Sequence, residues 1–273
     1  MNCAFSIIIP HYNIPKLLKR CVDSIPQRDD IQIIVVDDCS PSNEEIELVF
    51  NELKLDNRVE LYSTTKGGSA GRARNIGLEH AKGKWVMFAD ADDFFDECIN
   101  DFIDKYQNTE SEVIYFNFRS VLSDDITQPS SRESIYNDFF KKYSSNYHET
   151  DNFRIHYSTP WGKLIKRDFI NKFKIRFDET KYANDVMFAT LVGCKAEHVL
   201  VADIPVYVLT ERKGSLANNL CSKPGETIIR TEVALRARKT VEEHGYIPSD
   251  EYMRFIRLLI WNKEYKDLSY LFH

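Results

Sequence analysis

The first 118 residues alternate short apolar runs with segments whose apolar positions recur at helical spacing. Runs at 5–9, 31–36, 59–62, 85–88 and 113–116 are rich in β-branched and aromatic residues. Most are almost continuously apolar, as strands covered on both faces of a parallel sheet should be. Between the first two, Leu17, Leu18, Cys21, Val22 and Ile25 line one face of a helix that Pro15 can start. Ser42 or Asn43 can cap a second helix with Glu44 and Glu45 in its first turn. A third is expected from about residue 69 to 80 and a fourth from about 94 to 106. Strand and helix in alternation imply right-handed crossovers and an open, mainly parallel sheet, whose ligand cleft lies beyond the C-terminal strand ends. Residues that do chemistry should therefore follow strands.

From 119 to 158 the pattern weakens into polar, aromatic and Ser-rich sequence, including Ser130, Ser131, Ser144 and Ser145. This reads as a connector with one short helix near 135–142. The piece at 161–166, a helix at about 184–194 and a segment at 199–209 broken by Pro205 follow. The stretch from 224 onward is helical, with a gap near 245–249.

At 273 residues, one domain with an appended subdomain is expected. Hydrophobic residues at 43% and charged residues at 29% exclude collagen-like, low-complexity and largely disordered chains. Lys plus Arg number 36 against 42 Asp plus Glu, a formal charge of -6, so the overall basic field of a nonspecific nucleic-acid binder is absent. The six cysteines form no CxxC pair, against a zinc ribbon and against a small disulfide scaffold. No signal-peptide pattern opens the chain, and its apolar runs are too short to span a membrane. A cytoplasmic location is expected.

Four stretches follow strands and carry chemistry. Asp90-Ala91-Asp92-Asp93 comes directly after the run at 85–88. Three carboxylates in four residues repel one another, and burying them is costly unless a cation or hydrogen-bond donors offset the charge. Mg2+ or Mn2+ would do so, since such an ion needs few carboxylates where phosphate oxygens complete its shell. The same acids suit a helix start, with Asp92 or Asp93 as the cap. A calcium loop of the EF-hand type is excluded, because Phe94 stands where a third oxygen ligand belongs. The run from Lys66 to Gly77 sets glycines ahead of a helix and two arginines after them. Its backbone N–H groups and guanidinium forks can approach phosphates, or its glycines can simply turn into a cap. It is neither a Walker loop nor a dinucleotide fingerprint. Asp37-Asp38-Cys39-Ser40 places an acid pair at a strand end, where one carboxylate can accept the imide N–H of a uracil ring or both can serve the turn. Pro10-His11-Tyr12-Asn13 offers an aromatic ring that can stack on a base or pack at a rim.

Taken together, Ile-Ile-Pro-His-Tyr-Asn, Val-Val-Asp-Asp-Cys-Ser, Gly-Arg-Ala-Arg-Asn-Ile-Gly, Ala-Lys-Gly-Lys-Trp-Val and Asp-Ala-Asp-Asp resemble the family-two inverting glycosyltransferases of the GT-A fold, over about residues 4–118. The resemblance implies an α/β fold with a Rossmann-like, mainly parallel central sheet, flanking helices and a helical C-terminal extension. It implies a nucleotide-sugar-binding half at 1–118, an acceptor-binding and catalytic-base half of the same domain at 119–222, and a helical subdomain at 223–273. Carried over by position, Tyr12 and Asp38 contact uracil, Arg74 lies near the base or diphosphate, and Pro10, Asn13, Gly71 and Ala91 belong to the donor site. Asp90 lies near the sugar or ribose and Asp92 toward the metal, a role Asp93 shares. Asp185 is the catalytic base, although Asn184 stands where the family usually has Glu. An Asp there is also an ordinary helix cap. Trp161 and Lys163 fall on the acceptor side, Trp161 offering a flat face to a sugar or filling the core. Arg212 opens a loop expected to close over the diphosphate.

The expected function is therefore transfer of a hexose or N-acetylhexosamine from a UDP-sugar, with Mn2+ or Mg2+ and inversion, to a hydroxyl of a glycan or lipid-linked saccharide in cell-surface polysaccharide synthesis. A nucleotidyltransferase or other metal-dependent phosphoryl-transfer enzyme, and an inactive sugar-nucleotide-binding module, remain alternatives. Nucleic acid is not an expected partner. Arg230, Arg236, Arg238, Lys239, Arg254 and Arg257, with Phe255 and the run 258–261, could rest as basic amphipathic helices on the inner face of a membrane. Glu232, Glu242, Glu243 and Glu251 dilute that signal, and an ordinary helical cap or homodimer contact is the other reading.

Overall fold

The computed structural model describes residues 3–130, 132, 140, 150–212 and 225–248. The five expected strands are β1 (Phe5–His11), β2 (Ile31–Asp37), β3 (Val59–Ser63), β4 (Trp85–Phe88) and β6 (Val113–Leu122). Every residue of β1, β2 and β4 is buried, which is why their sequences run apolar without alternation. A large side chain at such a position, Ile8 or Phe88 for example, contributes about 2–5 kcal/mol, the usual cost of truncating it to alanine.

Helices α1 (Pro15–Asp23), α2 (Glu44–Leu53) and α3 (Ala70–His80) start where local chemistry directs. Pro15 occupies the first turn of α1, which buries Leu18, Cys21 and Val22. The Asn43 side chain caps α2 by accepting from the Ile46 amide, with three glutamates in the first turn. Ser69 caps α3 by accepting from the Arg72 amide.

The fourth expected helix is shorter than its sequence suggested. Phe94–Phe95 form a two-residue strand, β5, and α4 (Ile99–Tyr106) starts only after it. Ladder bonds to Val208 and Tyr207, with Phe95 edge-on to the Tyr207 ring, outweigh local helical spacing there. With the helix start moved to Cys98, neither Asp92 nor Asp93 is a cap.

The remaining elements are α5 (Thr150–His156), β7 (Lys163–Lys166), α6 (Arg167–Lys172), α7 (Val186–Lys195), β8 (Val199–Glu211) and α8 (Glu226–Glu243). Among the described residues the strands form one sheet in the order β3-β2-β1-β4-β7-β6-β8-β5. The first four run parallel. β7 enters antiparallel between β4 and β6, β8 runs parallel to β6, and β5 is antiparallel to β8. Strict alternation therefore ends at β4, and a four-residue strand such as β7 carries no periodicity that announces its direction. Pro205 does not break β8; a register shift opposite Asn117 absorbs its missing N–H.

The short helix expected near 135–142 falls almost wholly outside the described residues, as does the C-terminal stretch beyond 248. On α8 the basic side chains are engaged by acids: Arg230 with Glu226, Arg236 with Asp178, Arg238 with Glu242, and Lys239 with Glu243. No helix among the described residues is long and apolar enough to cross a membrane.

The main apolar core runs along the sheet, with a separate small cluster of Phe94, Val121 and Val208 at the β5–β8 edge. Near the end of β4, Phe88 meets Phe177 and Phe188 edge-on, and the latter two rings stack at 3.9 Å. That cluster fixes the start of α7 against the strand end that carries Asp90.

Candidate active site

The C-terminal ends of β1, β2 and β4 open onto a cleft of about 650 Å³. All four chemistry-bearing stretches reach it: Pro10 and Tyr12, Asp38 and Cys39, Gly67 to Ala70 with Arg74, and Asp90 to Asp92, although Gly71 does not line it. Lys181, Asn184 and Arg212 join them from later in the chain.

Tyr12 stands 57% exposed at the cleft edge. Two residues beside the strand ends, Asn13 (φ 53) and Cys39 (φ 60), hold left-handed backbone conformations. For residues other than glycine each such conformation costs on the order of 1–3 kcal/mol, and it persists only where surrounding bonds over-determine it.

Asp38 is buried, with one oxygen accepting from Thr64 Oγ1 at 2.9 Å and the other from the Gly68 and Ser69 amides at 2.7 and 2.8 Å. The glycine-loop amides expected to meet phosphate thus hold a carboxylate of their own chain. Asp38 orders that loop while still lining the cleft.

The three acids after β4 separate into distinct environments. Asp90 accepts from Arg74 Nη2 at 2.6 Å, and its own amide donates to Tyr207 Oη at 2.9 Å. Asp92 faces the cleft with Arg212 3.7 Å away. Burial pushes the Asp92 carboxyl above its usual range, and the Asp90 charge adds to the effect against Arg212 and Arg20. Asp93 turns inward, 2% exposed, and accepts from Tyr207 Oη at 2.7 Å and the Thr210 amide at 2.7 Å. Burial first, then Asp92 and Asp90, hold its carboxyl far above normal. With both oxygens satisfied from β8, Asp93 anchors the segment and does not line the cleft in which a shared cation was expected.

A second region supplies the base candidate. Asp185 is half-buried at the N-cap position of α7, yet its side chain makes no capping bond, so the ordinary cap role is not the one it fills. Burial raises its carboxyl, Arg74 and Lys163 oppose the shift, and Asp90 reinforces it. Arg74 connects the two regions: its Nη1 donates to Asn184 Oδ1 at 2.9 Å while Nη2 holds Asp90. Its guanidinium lies 5.3 Å from the centre of the Phe177 ring.

The loop before Asp185 is tied down from α3. Ser69 Oγ donates to the Thr180 carbonyl, Arg72 pairs with Glu179 at 2.8 Å, and Asn75 exchanges two bonds with the backbone of Phe177. Gly71 is part of this docking surface: a Cβ there would collide with the Asp178 carbonyl oxygen. From the other side, Arg236 of α8 holds the Asp178 carboxylate.

Trp161 and Lys163 are both buried. The Trp161 ring stacks on Tyr207 at 5.3 Å, which gives it the core role. Lys163 is 0% exposed, donates to the Thr159 carbonyl, and lies 4.4 Å from the centre of the Tyr157 ring and 5.5 Å from that of Tyr115. Burial drives its ammonium far below its usual range, with Asp185 opposing. Neither side chain presents a surface to an acceptor.

No three His, Cys, Asp or Glu side chains converge as a cation cage among the described residues. The donor set nonetheless fits a hard ion of the Mg2+ or Mn2+ class, which takes one or two carboxylates and completes its shell with substrate phosphates and water. Asp92, which lines the cleft, would be the oxygen donor, since burial and then the Asp90 charge raise its carboxyl and a cation would offset both.

The profile described as Glycosyl transferase family 2 matches residues 6–173. The chain belongs to that family. Among similar proteins, the poly(ribitol-phosphate) beta-glucosyltransferase of Bacillus spizizenii is 29% identical over 77% of this chain and 32% of its own length. The poly(ribitol-phosphate) beta-N-acetylglucosaminyltransferase TarS of Staphylococcus aureus is 28% identical over 77% of this chain and 36% of its own. The chain thus spans about a third of the length of these curated relatives. The crystal structure of S. aureus TarS 1-349 in complex with UDP-GlcNAc superposes with a TM-score of 0.64 at 22% identity, covering 85% of this chain and 66% of that one. That likeness establishes the GT-A fold.

For this family-2 member, sequence reasoning named most of the cleft but missed its scaffolding. Tyr207 and Thr210 hold Asp93, and Thr210 Oγ1 and Arg20 both donate to the Asp92 carbonyl. For Tyr207 and Thr210 the only signal was a hydroxyl in an otherwise largely apolar strand, and for Arg20 there was none beyond its place in the last turn of α1. Of the Lys66–Gly77 run, read as able to approach phosphates, Arg74 reaches the cleft, while Ser69, Arg72 and Asn75 make contacts to the loop that carries Asp185.

Proposed function

We propose that this chain transfers a hexose or N-acetylhexosamine from a UDP-sugar to a hydroxyl of a glycan or lipid-linked saccharide, with inversion at the anomeric carbon, in cell-surface polysaccharide synthesis. The observation that carries the reading is the Arg74 bridge, which sets the Asp90 carboxylate and the residue preceding Asp185 on two sides of one guanidinium. The names of its relatives, which include beta-glucosyl- and beta-N-acetylglucosaminyltransferases, support the sugar class. The UDP-GlcNAc complex of TarS supports the donor class.

In this reading Tyr12 stacks on the uracil and Asp38 keeps the glycine loop in place beneath it. A Mg2+ or Mn2+ ion held by Asp92, with Asp90 beside it, would offset charge on the leaving diphosphate. Arg212 and Lys181 bring further positive charge to the same cleft. Asp185 accepts the proton of the attacking acceptor hydroxyl. Its raised carboxyl favours that role, because a more basic carboxylate takes a proton more readily. Direct displacement by that hydroxyl inverts the anomeric centre without a covalent enzyme intermediate.

The test is a panel of UDP-sugars with saccharide acceptors and Mn2+ or Mg2+, scored for free UDP and a new glycoside together. Release of pyrophosphate in place of UDP would assign the chain to nucleotidyl transfer. Donor binding without turnover across the panel would mark an inactive binding module.

A further inference from the structure

We propose that His11 is a positioning residue for the nucleoside end of the donor site, closing with Ser40 a hydrogen-bonded ring that holds Tyr12 where a base can stack on it. The inference rests on the UDP-sugar reading and adds a role that the cleft's lining residues do not themselves reveal.

Tyr12 is too exposed for packing to hold it, so its orientation depends on the backbone on either side. On one side, the Asp38 amide donates to the His11 carbonyl at 2.8 Å and joins the ends of β1 and β2. On the other, the two amides that follow Tyr12 each find a side-chain acceptor. The Asn13 amide donates to Ser40 Oγ at 2.8 Å, and the Ile14 amide donates to His11 Nε2 at 3.1 Å. A backbone amide can only donate, so Nε2 carries the lone pair and Nδ1 carries the proton. Nδ1 then donates to Asp37 Oδ1 at 2.8 Å. Asp37 closes the ring by accepting from Ser40 Oγ at 2.5 Å and from the Ser40 amide at 2.9 Å.

The ring is built to last. His11 is 1% exposed, with its imidazole edge-on to Phe50 of α2 at 5.6 Å. Burial raises the Asp37 carboxyl, but the bonds from His11 and Ser40 outweigh it and hold the group below its usual range, so Asp37 stays an acceptor near neutral pH. Asn13 and Cys39, two of the four non-glycine residues with positive φ among the described residues, lie within or beside this ring. Left-handed backbone at two facing strand ends is the strain that such a circuit can sustain, and ligand clamps are where it collects. Without the ring, only a fraction of molecules would present Tyr12 correctly, and apparent affinity falls by that fraction.

The test uses the full chain with Ser40→Ala, His11→Asn and the double variant. Uridine and UDP are titrated calorimetrically without metal, and hydrogen exchange is followed at the Asn13 and Ile14 amides. Each single variant is expected to weaken uridine and UDP by the same factor, about tenfold, with faster exchange at the amide it releases. The double variant should be little worse than the weaker single, since both open one ring. Faster exchange with unchanged uridine affinity would overturn the proposal and leave the ring as a fastening of two strand ends; additive losses would overturn it as well. Should His11→Asn fail to fold, the part-exposed Ser40 still carries the test. Wild-type protein that binds neither uridine nor UDP would instead sink the UDP-sugar reading itself.

Discussion

The cleft is assembled from two kinds of region. Its floor comes from the ends of β1, β2 and β4, where Tyr12, Asp38, Asp90 and Asp92 each follow a buried strand within a few residues. Its other wall comes from the 178–185 loop through Lys181 and Asn184; that loop continues no strand and is held by the Phe88 cluster at its ends and by long-range tethers from α3 and α8. The floor is therefore set locally, while the wall that carries Asp185 depends on contacts between distant segments. Arg74 is where the two meet, and chemistry that needs both a leaving group and a base depends on that junction.

The largest break in this comparison is expected from Asp185→Asn. It removes the proposed proton acceptor but no part of the floor, so turnover should fall by about 10²- to 10⁴-fold while UDP affinity measured by calorimetry stays close to wild type. Loss of UDP binding in this variant would show that the wall and floor are not separate. In the wild type, turnover should rise with pH as Asp185 loses its proton. Since burial raises that carboxyl, the acidic limb of the kcat profile should lie above the usual aspartate value of about 3.9. The linkage to stability has the opposite sense. A carboxyl raised in the folded state contributes stability below the unfolded value, and that contribution is lost as pH rises through the folded one.

Asp92→Asn attacks the floor instead. Removing the carboxylate proposed to hold a hard cation is expected to lower turnover by about a hundredfold or more, together with the Mn2+ dependence of UDP affinity. The metal-free uridine affinity should be unaffected.

Gly71→Ala acts on a tether and sharpens the distinction. The new methyl meets the Asp178 carbonyl, so the loop must shift at a cost of about 1–3 kcal/mol of stability, read by denaturant unfolding. Turnover should fall while uridine affinity holds, because the floor is untouched. If both fall together, Gly71 belongs to the donor site as its motif position suggested.

The smallest effect is expected from Arg236→Gln, which cuts the tether from α8. An ion pair with an exposed arginine contributes about 0.2–1 kcal/mol, so kcat should drop by no more than about fivefold without change in the KM for donor. No effect at all would make α8 a cover over α7 with no share in the active site.

The floor was legible in the linear sequence because parallel strands advertise themselves. Fully buried strands must be apolar throughout, and polar residues at their ends therefore stand out. Asp90-Ala91-Asp92-Asp93 could be read as a site, but not which acid faces the cleft: only Tyr207 and Thr210, more than a hundred residues later, turn Asp93 inward. Phe94 and Phe95 read as helix because their spacing allows it, whereas their pairing with β8 depends on a strand that spacing cannot place. Lys163 read as an acceptor contact because lysine is normally exposed; its burial against Tyr115 and Tyr157 is set by the position of β7 inside the sheet.

What the chain's sequence determined by itself was local: the strand periodicity, the caps at Asn43 and Ser69, and the acids and aromatic ring at strand ends. Each depends on residues within a turn or two of one another, so their physics is contained in short windows. Only tertiary structure decided the order of the sheet beyond β4, the separate fates of Asp90, Asp92 and Asp93, and the joining of Asn184, beside Asp185, to Asp90 through Arg74. These depend on pairings between distant segments, where burial and a few hydrogen bonds select one arrangement among many that local preference leaves equal.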